Sequence, residues 1–73
     1  MTNTELLLQR IQESGLRRNF LAQRMGLSSY GLALKIQNVN EFKASEIDQL
    51  CELLQIDDLA EKEAIFFAKE DDL

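Results

Sequence analysis

The side chains of this 73-residue chain that could bind a ligand are cationic, hydroxyl and amide groups. The sequence has no histidine and a single cysteine, Cys51, so a Cys/His zinc site and histidine general-base catalysis are excluded. It has no phosphate-binding glycine loop of the Walker or Rossmann type. Asp57 and Asp58 are adjacent carboxylates, but they stand where a helix is expected to begin, and capping explains them. The sequence therefore argues against an enzyme, a metal site or a cofactor.

Arg17 and Arg18 stand where a second helix is expected to begin, an end whose dipole disfavours cations. They are either a solvated surface pair or part of a phosphate site formed with the helix amides. The stretch that follows, as far as Gln37, has the pattern of two short helices hinged at Gly26. Glycine accepts the left-handed backbone that ends a helix, and Ser28 is placed to cap the next one. This pattern is typical of a helix-turn-helix, whose second helix enters the DNA major groove.

The segment LAQRMGLSSYGLALKI, residues 21–36, resembles the helix-turn-helix of phage Cro/repressor-type regulators, the lambda-repressor-like family. FKASEIDQLCELLQI, residues 42–56, resembles the helix that usually follows. The resemblance covers roughly residues 5–56, and two positions depart from it. Arg17 stands where the family usually has a capping Thr or Ser, and Ile36 follows Leu32 by four residues where many members have three. The positions that match the family spacing are Ala22, Gly26, Ser28 and Leu32.

The resemblance implies a sequence-specific, DNA-binding transcriptional regulator of phage or prophage origin. A homodimer would read two half-sites about 34–36 Å apart on double-stranded DNA. The recognition helix would span residues 28–37. Its base-facing residues would be Ser29, Tyr30, Ala33, Leu34 and Gln37. The candidate phosphate contacts are Arg17, Arg18, Asn19, Ser28, Lys35 and Lys43.

The outer face of the third helix leaves a second interpretation open. At about 100° per residue, Tyr30 and Leu34 lie opposite the apolar Leu32 and Ile36. Apolar groups on an outer face contact bases, pack on a neighbouring helix, or mark a protein partner. The rival hypothesis is therefore a protein-interaction module on the same helical fold, such as an adaptor or an antitoxin-like partner.

The charge distribution separates the two halves of the chain. The net charge is −5, but residues 1–43 carry six cations and three acids, whereas residues 44–73 carry two cations and ten acids. A local positive field persists because salt screens the acidic half beyond about 8–10 Å. No segment approaches the ~20 apolar residues of a membrane span, and no secretory signal pattern begins the chain. With its lone cysteine, the sequence predicts a cytoplasmic protein without a membrane or small-molecule partner.

Apolar periodicity predicts an all-α fold of five helices in a single domain of residues 1–73, with the first four helices forming a compact core over about residues 4–55. The helices are expected at about residues 4–14, 19–25, 28 or 29 to 37, 44–54 and 57–69. Thr2 and Glu5 have the spacing of a capping box. Phe20 is expected to pack in the core or between helices, and Glu46 is expected in water. The predicted core residues are Leu7, Ile11, Leu21, Met25, Leu32, Ile36, Phe42, Ile47, Leu50 and Leu54.

The last helix has two apolar stripes. Leu59 and Phe66 lean to one side, and Phe67 shares the other side with Ala60 and Ala64. One stripe should close the core, and the Leu59/Phe66 stripe is a possible dimer surface, unless the helix lies in a groove and buries both. Residues 70–73 are expected to form an acidic tail.

Overall fold

Five helices and no strand are present in the computed structural model of the protein, which describes residues 1–69. The all-α, five-helix prediction is confirmed. Within residues 1–69, none of the helices has the length and apolar character needed to cross a lipid bilayer. The predicted acidic tail, residues 70–73, lies outside the described residues. The helices are α1 (Thr4–Ser14), α2 (Arg18–Arg24), α3 (Ser29–Ile36), α4 (Ala44–Leu54) and α5 (Leu59–Phe66).

The helix ends follow the expected chemistry at most positions. Gly15 ends α1, and its left-handed φ of 74° suits a residue without a Cβ. Asp58 caps α5 by accepting a hydrogen bond from the Ala60 N–H at 3.0 Å. The predicted capping box of α1 is wrong. Asn3 caps that helix, whereas Thr2 is buried and its backbone is engaged elsewhere.

The core contains all ten predicted core residues. Nine are buried, and Phe42 is half-buried with its ring edge-to-face against Phe66 at a centroid distance of 5.7 Å. Cys51 is buried as predicted, and burial raises the pKa of its thiol above the ordinary value. Its reactive thiolate is therefore disfavoured, and Cys51 is a small core side chain.

Phe20 is not part of the buried core, the first of its two expected environments, because 42% of its surface is exposed. Leu21, Ala22 and Met25 already occupy the inner face of α2. At about 100° per residue, Phe20 then falls on the opposite side of the helix.

The last helix is shorter than expected and buries a different face. It ends at Phe66 rather than near residue 69. The N-terminal segment supplies backbone partners on both sides of this end, since Asn3 N–H donates to the Ile65 carbonyl and Ala68 N–H donates to the Met1 carbonyl. Phe66 is only 4% exposed and is therefore not a dimer surface. Leu59 and Phe67 are the exposed large apolar residues of this region, at 77% and 56%.

Asn38 joins the start of the chain to the end of α3. The Thr2 N–H donates to Asn38 Oδ1, and Asn38 Nδ2 donates to the Thr2 carbonyl, both at 2.8 Å. Nearby, the Thr4 hydroxyl donates to the Ile36 carbonyl. Asn38 has a φ of 64°, a conformation that asparagine tolerates better than most residues. We call the two hydrogen bonds between Asn38 and Thr2 the Asn38 clamp. They hold the C-terminal end of α3 against the N-terminal segment.

Replacing Asn38 should separate its two contributions to stability, the two hydrogen bonds to Thr2 and the tolerance of a positive φ. Asn38→Ala removes two hydrogen bonds and places alanine at a positive φ, so we expect a loss of about 2–3 kcal/mol in the free energy of unfolding. Asn38→Gly removes the same bonds without the backbone strain and should cost about 1 kcal/mol less. Urea denaturation followed by circular dichroism measures both values. Equal stability of the wild type and the alanine variant would contradict the clamp.

Candidate nucleic-acid interface

The turn between α2 and α3 is closed by backbone hydrogen bonds. Gly26 has a φ of 71°, as predicted, which turns the chain so that the Leu27 N–H reaches the Ala22 carbonyl at 2.8 Å. Ser28 caps α3 as predicted, because its Oγ accepts the Gly31 N–H at 2.9 Å. The two helices pack directly on each other. α3 is therefore held at its N-terminal end by a short and well-bonded connection.

Gly31 is a contributor to this cap that the sequence analysis missed. A Cβ at this position would lie 3.1 Å from Ser28 Oγ, which is tighter than an ordinary contact. The absence of a side chain therefore leaves room for the capping hydroxyl. The available signal was the position of a glycine three residues after the cap.

The first turns of α2 and α3 are joined by a side-chain hydrogen bond. Ser29 Oγ donates to Asn19 Oδ1 at 2.7 Å, and both residues are exposed. The bond brings a predicted base-facing residue and a predicted phosphate contact to the same part of the surface. Ser28, another predicted phosphate contact, is exposed beside them.

The outer face of α3 is accessible. Tyr30 is 72% exposed and Gln37 is exposed, whereas Ala33 and Leu34 are half-buried. On the inner side of the same helix, the residues that hold it to the core are Leu32 and Ile36, both almost completely buried. Four of the five predicted base-facing residues thus lie on α3, the fifth, Gln37, is its C-cap, and none of the five is fully buried.

Lys35 is not a free cation, which corrects its assignment as a phosphate contact. Its ammonium group forms an ion pair with Glu46, and only 12% of the Lys35 side chain is exposed. The backbone N–H of Lys43 donates to the same carboxylate oxygen at 2.8 Å. The Lys43 residue is exposed and stays a candidate phosphate contact.

Glu46 is buried, contrary to the prediction that it faces water. Burial alone would raise the pKa of its carboxyl group. The hydrogen bonds from Lys35 and the Lys43 backbone, together with their charges, outweigh this effect and hold the pKa below its ordinary value. The carboxylate therefore stays ionised and links α3 to the start of α4. The signal for this role was available, because Glu46 is the third residue after the Lys43 N-cap, the glutamate position of a capping box.

The arginines near the start of α2 are available for a ligand. Arg17 is the N-cap of α2 without a side-chain capping bond, and Arg18 is the first helical residue; both are exposed. Arg24 is exposed at the other end of the helix. The ion pairs among residues 1–69 involve none of the three arginines: they join Arg10 to Glu61, Lys35 to Glu46 and Lys62 to Asp48.

The described part of the chain, residues 1–69, has no cluster of metal-binding side chains. Residues 1–69 contain no group of three or more Cys, Asp or Glu side chains placed to hold a metal ion.

Comparisons of the chain with protein-family models, with curated proteins and with solved structures gave no match. The features of this molecule that bear on its function are therefore the geometry of α2 and α3 and the sequence pattern of residues 21–36.

Proposed function

We propose that this protein binds double-stranded DNA sequence-specifically, with α3 in the major groove, and that it regulates transcription in the manner of phage Cro/repressor-type proteins. The observation that carries this proposal is the two-sided character of α3. Leu32 and Ile36 fix the helix to the core, while Tyr30 and Gln37 project from its accessible side. An α-helix held in this way fits the width of the major groove.

The accessible side chains suit base edges in different ways. The Gln37 amide can pair with the two hydrogen-bonding positions of adenine, and the Tyr30 and Ser29 hydroxyls can donate or accept. Ala33 and Leu34 offer apolar contact to thymine methyl groups. Polar base contacts would therefore fall mainly to the two ends of the helix, with methyl recognition between them.

The N-terminus of α2 would hold the phosphate backbone. Arg17 and Arg18 bring two charges to the first turn of α2, and Asn19, the next residue, bonds to Ser29, which follows the predicted phosphate contact Ser28. A bound phosphate would offset the unfavourable placement of cations at a helix N-terminus. Lys43 provides another exposed charge at the N-cap of α4.

A salt titration on duplex DNA tests the proposal. Fluorescence anisotropy of a labelled random-sequence duplex pool should show binding at low salt. The logarithm of the association constant should fall linearly with the logarithm of salt concentration, with a slope of about −0.9 per phosphate contact. Absence of binding at about 50 mM salt would refute the DNA-binding proposal.

The double variant Arg17→Ala/Arg18→Ala should weaken binding to every duplex by a similar factor. Removing two phosphate contacts should also make the salt slope shallower by about 2. Arg10→Ala is the matched control. Because Arg10 is paired with Glu61, its removal should leave the salt slope unchanged. Selective weakening on one sequence would show that these arginines contact bases instead.

A protein-interaction module is the second candidate function. Two observations favour it. The ion pair with Glu46 makes the Lys35 ammonium group unavailable to a phosphate, and several large apolar side chains, including Tyr30, Leu59 and Phe67, are exposed. The salt titration separates the two candidates, because an apolar protein contact does not release counterions from DNA. If replacing Tyr30 leaves the affinity for duplex DNA unchanged, the outer surface of α3 is better explained as a contact with another protein.

A further inference from the structure

The middle turn of α3 carries two apolar side chains, Ala33 and Leu34, which we call the apolar pair. Both are half-buried, so part of each side chain stays accessible. Leu34 lies about 200° around the helix from Leu32, which is buried in the core. The one charged side chain of α3, Lys35, is occupied by its ion pair with Glu46. The middle of α3 therefore offers a base neither a free cation nor a carboxylate.

The backbone at Leu34 is held by hydrogen bonds from the segment that follows α3. The N–H groups of Val39 and Asn40 donate to the Leu34 carbonyl at 2.9 Å and 3.2 Å. On the inner side of the helix, Leu32 and Ile36 are almost completely buried. Little backbone freedom is left to lose when α3 meets a ligand, so the apolar pair is preorganised for contact.

The groups that bases expose in the major groove decide what the apolar pair can bind. Guanine is usually bound there by Arg or Lys, and the amino group of cytosine by Asp or Glu. Thymine alone among the four bases presents a methyl group, on C5 of its ring, and this group makes apolar contacts. 5-Methylcytosine carries the same methyl group on the same ring atom. It therefore offers the apolar pair the contact that thymine offers, and unmethylated cytosine does not.

We propose that the apolar pair recognises the C5-methyl groups of pyrimidines, so that 5-methylcytosine replaces thymine at the positions that Ala33 and Leu34 face. This inference rests on the proposed function, because it requires α3 in the major groove. It adds the chemical class of the DNA site, a duplex with C5-methylated pyrimidines. It also makes binding sensitive to cytosine methylation, since a weak site that holds cytosine at such a position becomes a stronger one when that cytosine is methylated.

Removing methyl groups from the DNA tests the inference without changing the protein. In a duplex selected from a random-sequence pool, each thymine in turn is replaced by deoxyuridine, which pairs with adenine but lacks the methyl group. Burial of one methyl group corresponds to about fourfold in affinity, so we expect about a fourfold loss at each thymine that the apolar pair contacts. Thymines in the flanking sequence are the control, and their replacement should leave the affinity unchanged. Fluorescence anisotropy measures each dissociation constant.

The sensitive positions are then converted to G·C pairs, with the cytosine either methylated or unmethylated at C5. The unmethylated duplex should bind as weakly as the deoxyuridine duplex, because the methyl group is missing from both. The methylated duplex should bind like the original thymine duplex. The partner purine should matter little there, because alanine and leucine side chains have no group that could form a hydrogen bond to it.

Leu34→Ala connects the effect to the protein. This variant should lose the distinction between thymine and deoxyuridine at the position that Leu34 faces. Leu59→Ala is the matched control, because it shortens an exposed leucine on α5 and should keep the distinction. Circular dichroism melting checks that both variants fold.

Three results would overturn the inference while leaving the proposed function intact. The first is equal affinity for thymine and deoxyuridine duplexes at every position. The second is a methylated cytosine that binds no better than an unmethylated one at the sensitive positions. The third is a thymine preference that persists at every position in Leu34→Ala, which would assign the methyl contact to another residue. Absence of binding to any duplex would refute the proposed function itself, and this inference with it.

Discussion

Replacing Glu46 by alanine is expected to lower the free energy of unfolding by about 3 kcal/mol, a large part of the stability of a domain of this size. The change leaves the ammonium group of Lys35 largely buried without its partner. It also removes the acceptor for the Lys43 N–H at the start of α4. Two elements would therefore lose their connection, the helix proposed to read DNA and the helix that follows it. Urea denaturation measures the loss.

Asp48→Ala is the matched control for this prediction. Asp48 lies on the same helix and pairs with Lys62 at 2.9 Å, but 71% of its side chain is exposed. An exposed pair of this kind contributes about 0–1 kcal/mol. Similar losses for Glu46→Ala and Asp48→Ala would show that the Lys35–Glu46 pair has no special structural role.

The Glu46 carboxylate should also make the free energy of unfolding depend on pH. The pKa of Glu46 is lowered in the folded protein, so its contribution to stability is present above its ordinary value of 4.5 and is lost as pH falls through the lower folded value. Between these values the wild type should lose stability on acidification more steeply than Glu46→Gln. Parallel stability curves for the two proteins would contradict the lowered pKa.

Tyr30→Ala is expected to remove most of the preference for one DNA sequence while leaving the fold intact. Tyr30 projects from α3 with 72% of its surface exposed, so its removal should change the free energy of unfolding by less than about 0.5 kcal/mol. A lost base contact is worth about 1–3 kcal/mol of discrimination, or roughly tenfold to a hundredfold in relative affinity. Competition between a selected duplex and a scrambled one measures this ratio.

Leu59→Ala is the control for Tyr30→Ala. Leu59 is similarly exposed, at 77%, but it lies on α5 and not on the helix proposed to contact DNA. It should leave the sequence preference unchanged. A large fall in melting temperature for Tyr30→Ala would instead identify this ring as a structural residue.

The fold was predictable because its signals are local. Regular apolar spacing identified the core-facing side of α4, and Gly15, Gly26 and Ser28 marked helix boundaries through their own backbone and capping chemistry. These features depend on residues within one or two turns. They agree with the structure at Ala44–Leu54 and at the α3 N-cap.

The errors fall where distant segments decide the outcome. Glu46 looked solvent-exposed on its own helix, and only the approach of Lys35 from α3 explains its burial. Phe66 was a candidate for a dimer surface on the pattern of its own helix, yet it packs against Phe42. The N-terminal segment engages the backbone around Ile65, an interaction between the two ends of the chain that periodicity does not contain. Contacts of this kind depend on tertiary packing, which overrides local preference.

The position of α3 on DNA is tested most directly by amide chemical shifts of the labelled protein during titration with a selected duplex. We expect saturable shifts concentrated at residues 17–19 and 28–37, with α5 (Leu59–Phe66) little affected. Saturable shifts confined to α5, or an α3 that does not respond to any duplex, would contradict this position of α3.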